Sequence, residues 1–482
     1  MDAFFLYAED DGVNHQHVAG LLLFEGPPPA FDDVLAMVAS KLPVLRRYRQ
    51  VVKEVPMNLG RPVWVDDPNF DLEYHLRRTA VPSPGGDAEL AKLHAQFLSE
   101  RLDRTRPLWE LMSVEGLADG RWALLSKTHH AMVDGVSGTD LTSVLLDRSP
   151  NPERAADVTW TPDPMPTPAE LITDAVGEMV RSPAEQMRAL QEAANLPGGL
   201  METLTAGIAT AAKQAAVEPS ATSLNGPIGP KRRYAFTKYT LDEVKEIRTE
   251  IGGTVNDIVL AAATRGFRDL LLSRGEMTEG RVVRIMVPIA LHARDASGRA
   301  VHAGDGQYEN KATAVVAELP VSIEDPLERA RLIHEQLKEL KASPQVAAGD
   351  TLSKLSGFAP ATFLSIGVRA AAAMPPQTAI NSVVSNVPGP QMTLYAVGRR
   401  LVESYPCPPV FPIGARTGVA IWSYDGVLHF GINADHGSVP DIDVLRDGIL
   451  AGFRELHDLV AKKTVKPKKK RTAKNTARAA SA

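Results

Sequence analysis

A single cysteine, Cys407, stands among the 482 residues of this chain. No disulfide framework can form within one molecule, and a reducing compartment is the expected setting. Aromatic residues are sparse at 6%, while alanine is abundant, a balance that favours helices. No uninterrupted apolar run approaches the ~20 residues that a membrane-spanning helix requires. The opening stretch, Met1 to Asp10, has neither a basic region nor a long apolar core, so no secretory signal is expected. These absences point to a cytoplasmic protein.

The charge is divided unevenly along the chain. Residues 462–482 carry nine lysines and arginines and no acid, which leaves −14 on the rest of a chain whose net charge is −5. That segment is rich in Lys, Ala and Thr, lacks apolar anchors and is expected to be disordered. It suits an electrostatic tether to an anionic membrane or lipid-droplet surface, at about 1 kcal/mol per basic residue near the lipid. The plainer reading is a solvated tail or a weak nucleic-acid binder. With an acidic body, no nucleic-acid function is expected for the protein as a whole.

The length fits two domains of roughly 200 residues each, and an apolar content of 44% suffices for real cores. The chemistry concentrates at His129-His130-Ala131-Met132-Val133-Asp134-Gly135. Histidine exchanges a proton near neutrality. Arg121 to Lys127 before the pair reads as a buried strand, and Ser137 to Leu146 after it reads as the start of a helix. Histidines at a strand exit, with a glycine to turn the chain, are placed for chemistry. An adjacent His pair by itself is more often a surface or satisfied core pair, and Asp134 and Gly135 at their offsets are what raise it above that. No cysteine lies near and no Glu or further His recurs at ligand spacing, so no zinc site is expected.

Along the chain, 15–25 reads as a first strand ended by Gly26-Pro27-Pro28-Pro29, Phe31 to Leu42 as an amphipathic helix and Ala88 to Leu102 as another. Prolines crowd 149–167, and helical stretches at 168–195 and 199–216 follow; Asn225 to Pro230 closes this crossover. The Ala-rich 184–216 reads as a packed connecting helix, with lipid contact as the other reading. In the second half, helices are expected at Leu241–Ile251, 258–274 and 325–341. Strands are expected at 281–288, 312–319, 380–386, 415–423 and 427–433. The apolar stretch 358–374 reads as a core helix, or as a segment dipping into a membrane interface. The alternation argues for two α/β or α+β sandwiches, divided as 1–148, a helical crossover 149–231, 232–461 and the tail 462–482.

The pattern His129-His130 with Asp134-Gly135 resembles the HHxxxDG motif of the coenzyme A-dependent acyltransferase superfamily, which peptide-synthetase condensation domains share. Further stretches resemble the bacterial wax ester synthase/diacylglycerol acyltransferase family across about 2–460: Asp2-Ala3-Phe4-Phe5-Leu6-Tyr7, Phe70 to His75, Pro107-Leu108-Trp109-Glu110, Asn225-Gly226-Pro227, Asn256-Asp257-Ile258-Val259-Leu260, Ser385 to Pro390 and Ser423-Tyr424-Asp425-Gly426. Each stretch also has a local reading. Pro388-Gly389-Pro390 is a strong turn, Asn256 can cap the helix that follows it, and Trp109 belongs in a core. The chain departs from the family pattern at His292 with Arg294, and at Glu309-Asn310.

The resemblance implies two chloramphenicol-acetyltransferase-like domains facing across a substrate tunnel. It implies acyl-CoA as donor substrate, no further cofactor, and a lipid alcohol as acceptor, diacylglycerol first and fatty alcohol second. His130 is then the general base, His129 shapes the site, Asp134 holds the loop that aims the histidine, Gly135 turns the chain in the motif, and Asn256 gives polar help near the reacting centre. Two other readings stay open: a transferase using carrier-bound thioesters, and a silent lipid-binding protein. The intact His130, Asp134, Gly135 and Asn256 speak against the second.

Overall fold

The computed structural model describes residues 2–9, 12–132, 144–152, 160–181, 222–290, 312–341, 380–410 and 414–464. Asp134, Gly135, the 184–216 and 358–374 stretches, the departures at 292–310 and most of the basic tail lie outside the described residues.

Two six-stranded mixed sheets form the frame. The first runs in the order β11 (Tyr395–Ala396), β12 (Arg399–Cys407), β1 (His17–Phe24), β6 (Trp122–His129), β5 (Trp109–Glu115), β4 (Leu76–Ala80). Its strands alternate between two cores, as period-two side chains must. Leu22, Phe24, Trp122 and Leu124 face one side, where helix α2 (Phe31–Lys41) packs with Val34 and Val38. Leu21, Leu23, Ala123 and Leu125 face the other, against Leu90 and Phe97 of the helix at Asp87–Ser99. In chain order this helix is α4, after α1 (Asp2–Ala8) and the single turn α3 (Leu72–His75). A separate two-stranded ribbon pairs β2 (Gln50–Lys53) with β3 (Val63–Asp66).

The second sheet runs β7 (Arg232–Thr240), β14 (Val427–Asp435), β13 (Thr417–Tyr424), β10 (Ser382–Pro388), β8 (Val283–Ala290), β9 (Ala312–Leu319). Beyond α5 (Pro168–Arg181) in the crossover come α6 (Leu241–Ile251), α7 (Val255–Ser273), α8 (Pro326–Lys341) and α9 (Ile442–Thr464), and the last four pack on this sheet around one core. The α7–α9 crossing is close because glycine permits it: a Cβ on Gly266 would lie 2.7 Å from Leu445 O.

Strands expected at 281–288, 312–319, 380–386, 415–423 and 427–433 are present within a few residues of those limits. The sequence reading missed β11 and β12, and it missed where they go. After β10 the chain leaves the second sheet, pairs β12 antiparallel with β1, and returns as β13 to the centre of the second sheet. Leu21 to Phe24 are buried on both faces, and β1 lies between β6 and β12 with no open edge. Where this strap crosses β14, Tyr234 Oη donates to Pro406 O at 3.0 Å and Asn433 Nδ2 donates to Pro408 O at 2.8 Å. Gly431 fits there only because it lacks a Cβ, which would sit 1.6 Å from Pro406 O.

Candidate active site

Strand β6 delivers the histidines. It ends at His129, and a single 3-10 turn, His130–Met132, follows. Two backbone bonds fix the exit: His129 N–H donates to Leu108 O at 2.9 Å, and His130 N–H donates to Gln16 O at 2.8 Å.

The two rings are not equivalent. His129 is 1% exposed. Its Nδ1 accepts from the Ala131 N–H at 3.1 Å, so in the neutral ring the proton is on Nε2. That edge faces Glu9 Oε2 at 3.7 Å. Glu9 is itself held by Arg101 at 2.9 Å and Arg104 at 3.3 Å. Burial, then Arg104, His130 and Arg101, push the His129 pKa down to about 3. The Nδ1 lone pair of His129 is occupied and its Nε2 edge is turned to Glu9, so no free lone pair is left to serve as the base.

His130 is only partly enclosed as a residue. Its ring stacks on Phe5 of α1, with centroids 3.8 Å apart and planes at 18°. Burial pushes its pKa down to about 4. The ring is therefore neutral at physiological pH, with a lone pair on one of its two nitrogens.

Asn256 does not cap its helix, contrary to the sequence reading. Thr254 is the cap: its Oγ1 accepts from Asp257 N–H at 3.3 Å, and Asp257 Oδ2 accepts from Thr254 N–H at 2.7 Å. The capping box needs an acid three residues after the cap, and that spacing selects Thr254 over Asn256. Asp257 Oδ2 also meets His334 Nδ1 at 2.7 Å. Asn256 is left free of capping duty; its Oδ1 accepts from Asn386 Nδ2 of β10 at 3.2 Å. Met132, two residues after His130, and Val387, next to Asn386, border the same apolar cluster.

Several stretches singled out in the sequence prove structural. Trp109 is buried, and its Nε1 donates to Tyr48 O at 2.8 Å. Glu110 pairs with buried Lys127 at 3.1 Å. Asp425 and Gly426 both have positive φ, 44° and 82°, and form the tight turn of the β13–β14 hairpin. Sequence reasoning missed Phe5, Glu9 and Gln16 as neighbours of the histidines. Their signal was present in the chain's opening stretch, but it carries no local chemistry. Among the described residues, no group of three or more His, Cys, Asp or Glu could hold a metal ion, and no helix is long and apolar enough to cross a membrane.

Two sheets joined by a strap, with a histidine at the exit of a first-sheet strand, define the coenzyme A-dependent acyltransferase architecture, and comparison with known proteins narrows it. The catalytic-domain model of wax ester synthase/diacylglycerol acyltransferase matches residues 1–259, and the C-terminal domain model of that family matches 308–457. The chain belongs to this family. It is 35% identical over 456 residues, 93% of each chain, to a Mycobacterium tuberculosis protein named "Probable diacyglycerol O-acyltransferase tgs1". A second protein of that organism, tgs2, is 31% identical, covering 95% of this chain and 98% of its own. Among solved structures, the wax ester synthase/diacylglycerol acyltransferase from Marinobacter aquaeolei VT8 superposes with a TM-score of 0.65 at 25% identity, covering 95% of this chain and 98% of that one. The trichothecene 15-O-acetyltransferase of Fusarium sporotrichioides shares the fold, with a TM-score of 0.57 at 12% identity over 94% and 93% of the two chains.

Proposed function

We propose that the protein transfers a long-chain acyl group from acyl-CoA to the hydroxyl of diacylglycerol, giving triacylglycerol and free coenzyme A. The observation that carries the reading is the asymmetry of the histidine pair: His129 has its acceptor nitrogen filled, while the neutral ring of His130 stacks on Phe5 and its Nδ1 has no hydrogen-bond partner among the described residues. Family membership and the names of the mycobacterial relatives support the substrate class.

In this mechanism His130 accepts the hydroxyl proton as the alcohol oxygen attacks the thioester carbonyl. The new C–O bond forms, the C–S bond breaks, and the proton passes from His130 to the departing thiolate. Both substrates are held together in the tunnel between the two domains, so no acyl-enzyme is needed. Positioning supplies much of the rate, and proton transfer contributes roughly 10²- to 10⁴-fold. Asn256 is assigned a polar contact to the reacting centre. Asp134 is assigned to holding the loop that aims His130, Gly135 to turning the chain in the motif, and His129 to shaping its base. The domain limits 1–148, 149–231 and 232–461 belong to this same reading.

Fatty alcohol is the second acceptor, favoured by the name of the Marinobacter protein, whose structure superposes over nearly the whole chain. Purified protein given palmitoyl-CoA with either diacylglycerol or hexadecanol tests the choice by chromatography of the lipid product. Triacylglycerol as the dominant product supports the reading, and wax ester alone overturns the acceptor assignment. Peripheral contact with an anionic lipid surface through 462–482 completes the proposal. Co-sedimentation with phosphatidylglycerol vesicles should be lost when that segment is removed, and retention would refute it.

A further inference from the structure

The segment from Asp2 to His17 grips the His130 turn, although no step of the mechanism above uses it. Gln16 sits at φ 49° and offers its carbonyl to the His130 N–H. Gln16 Nε2 donates to Asn14 Oδ1 at 2.8 Å, and Asn14 Nδ2 donates to Ala8 O at 2.9 Å. That chain of bonds ends on the last residue of α1. Three residues earlier on the same helix, Phe5 lies face to face with the His130 ring at 3.8 Å. Leu6, next to Phe5, packs with Leu102, Leu108 and Ala131, the residue after His130.

The imidazole needs this restraint. Rotation about the bond to a flat ring is broad, so a hydrogen bond usually fixes the plane. His129 has such a bond; His130 Nδ1 is buried and has no hydrogen-bond partner among the described residues. Among the described residues, the stacked Phe5 ring is a contact of defined geometry that can set the imidazole plane.

We infer that Phe5 is the positioning residue of His130: its ring sets the plane of the imidazole and keeps water off one face. The inference rests on the reading of His130 as the base. Among the described residues, the charged and titratable groups around the turn include His129 beside it, His17 across the strand pair from His129, and Glu9, Arg101 and Arg104 behind His129.

The test uses full-length protein labelled with ¹³C-histidine, the His130 signal being assigned by its loss in His130→Gln. In the wild type His130 should titrate well below ordinary histidine, consistent with the push down to about 4. Phe5→Ala admits water and should raise that value by about one unit or more. Its kcat at pH 7 with palmitoyl-CoA and diacylglycerol should fall about tenfold with KM within about twofold. Phe5→Tyr should restore both. Where Phe5→Ala fails to fold, Phe5→Leu keeps the apolar bulk without the flat ring and should still lose kcat while Phe5→Tyr keeps it. An unchanged His130 titration in Phe5→Ala, or equal losses in the aliphatic and Tyr variants, overturns the inference. If the wild type turns over neither alcohol, the functional reading fails while the titration still decides the role of Phe5.

Discussion

Lys127 and Glu110 face each other across β6 and β5, with Nζ 3.1 Å from Oε2 and both side chains almost wholly out of water. The ammonium also donates to Phe97 O and Glu100 O, both at 2.9 Å. These are carbonyls at the C-terminal end of α4, where a cation is favoured. Two hydrogen bonds and one ion pair thus hold the buried ammonium two residues before His129. This is the physical content of the Pro107-Leu108-Trp109-Glu110 stretch: Trp109 fills the core and Glu110 anchors the strand that carries the histidines.

The two halves of this pair should not cost the same to remove. Glu110→Leu leaves Lys127 buried with carbonyls alone, and a loss of about 3–5 kcal/mol is expected. Lys127→Met leaves Glu110 with Arg77, whose Nη2 is 2.8 Å away, so the loss should be smaller. Denaturant unfolding of both variants checks the order. Equal losses would contradict the assignment.

Helix capping and chemistry should separate at α7. Thr254→Ala removes a cap and should lower stability by about 1 kcal/mol. Asn256→Ala removes the part-buried bond to Asn386 but no capping bond, so it should cost less stability than Thr254→Ala while reducing kcat. Thermal unfolding and coenzyme A release on the same samples give both readings. A stability loss in Asn256→Ala equal to that of Thr254→Ala would return Asn256 to a structural role.

Acid should unfold the protein early. Burial pushes His94 and His129 down to about 3 and His429 down to about 4. Their folded values lie below the unfolded value near 6.5. The stabilisation they provide as neutral groups is complete above pH 6.5 and is lost progressively as pH falls from there toward 4. Each fully linked histidine contributes a slope of about 1.4 kcal/mol per pH unit. Urea unfolding from pH 7.5 to 4.5 measures the slope, and His94→Leu should flatten it. A flat profile for the wild type would contradict the burial argument.

The strap between the sheets allows one sharper test. Gly431→Ala would place a carbon on Pro406 O, so the variant should fold poorly or lose several kcal/mol. A wild-type thermal midpoint would contradict the crossing geometry.

Much of this was legible in the sequence, and the limits are instructive. Leu241–Ile251 and Ala312–Leu319 emerge with the boundaries that periodicity assigns, because each has one clear face and strong end signals. Residues 399–407 were not read as a strand. Arg399, Arg400, Glu403 and two internal-looking breaks at Pro406 and Cys407 hide the alternation, and no local signal says that this strand pairs with β1 nearly 400 positions earlier. The site divides the same way. His129 and His130 announce themselves by residue type. Phe5 does not, since its role comes from a stack across 125 positions that only the folded chain creates.

The most direct test of the central claim is single-turnover release of coenzyme A thiol by wild type, His130→Ala and His129→Gln, each shown to be folded, with palmitoyl-CoA and diacylglycerol. The expected result is rapid release by the wild type, at least about 10²-fold slower release by His130→Ala, and a smaller deficit in His129→Gln. Wild-type rates in His130→Ala would contradict the assignment of His130 as the base.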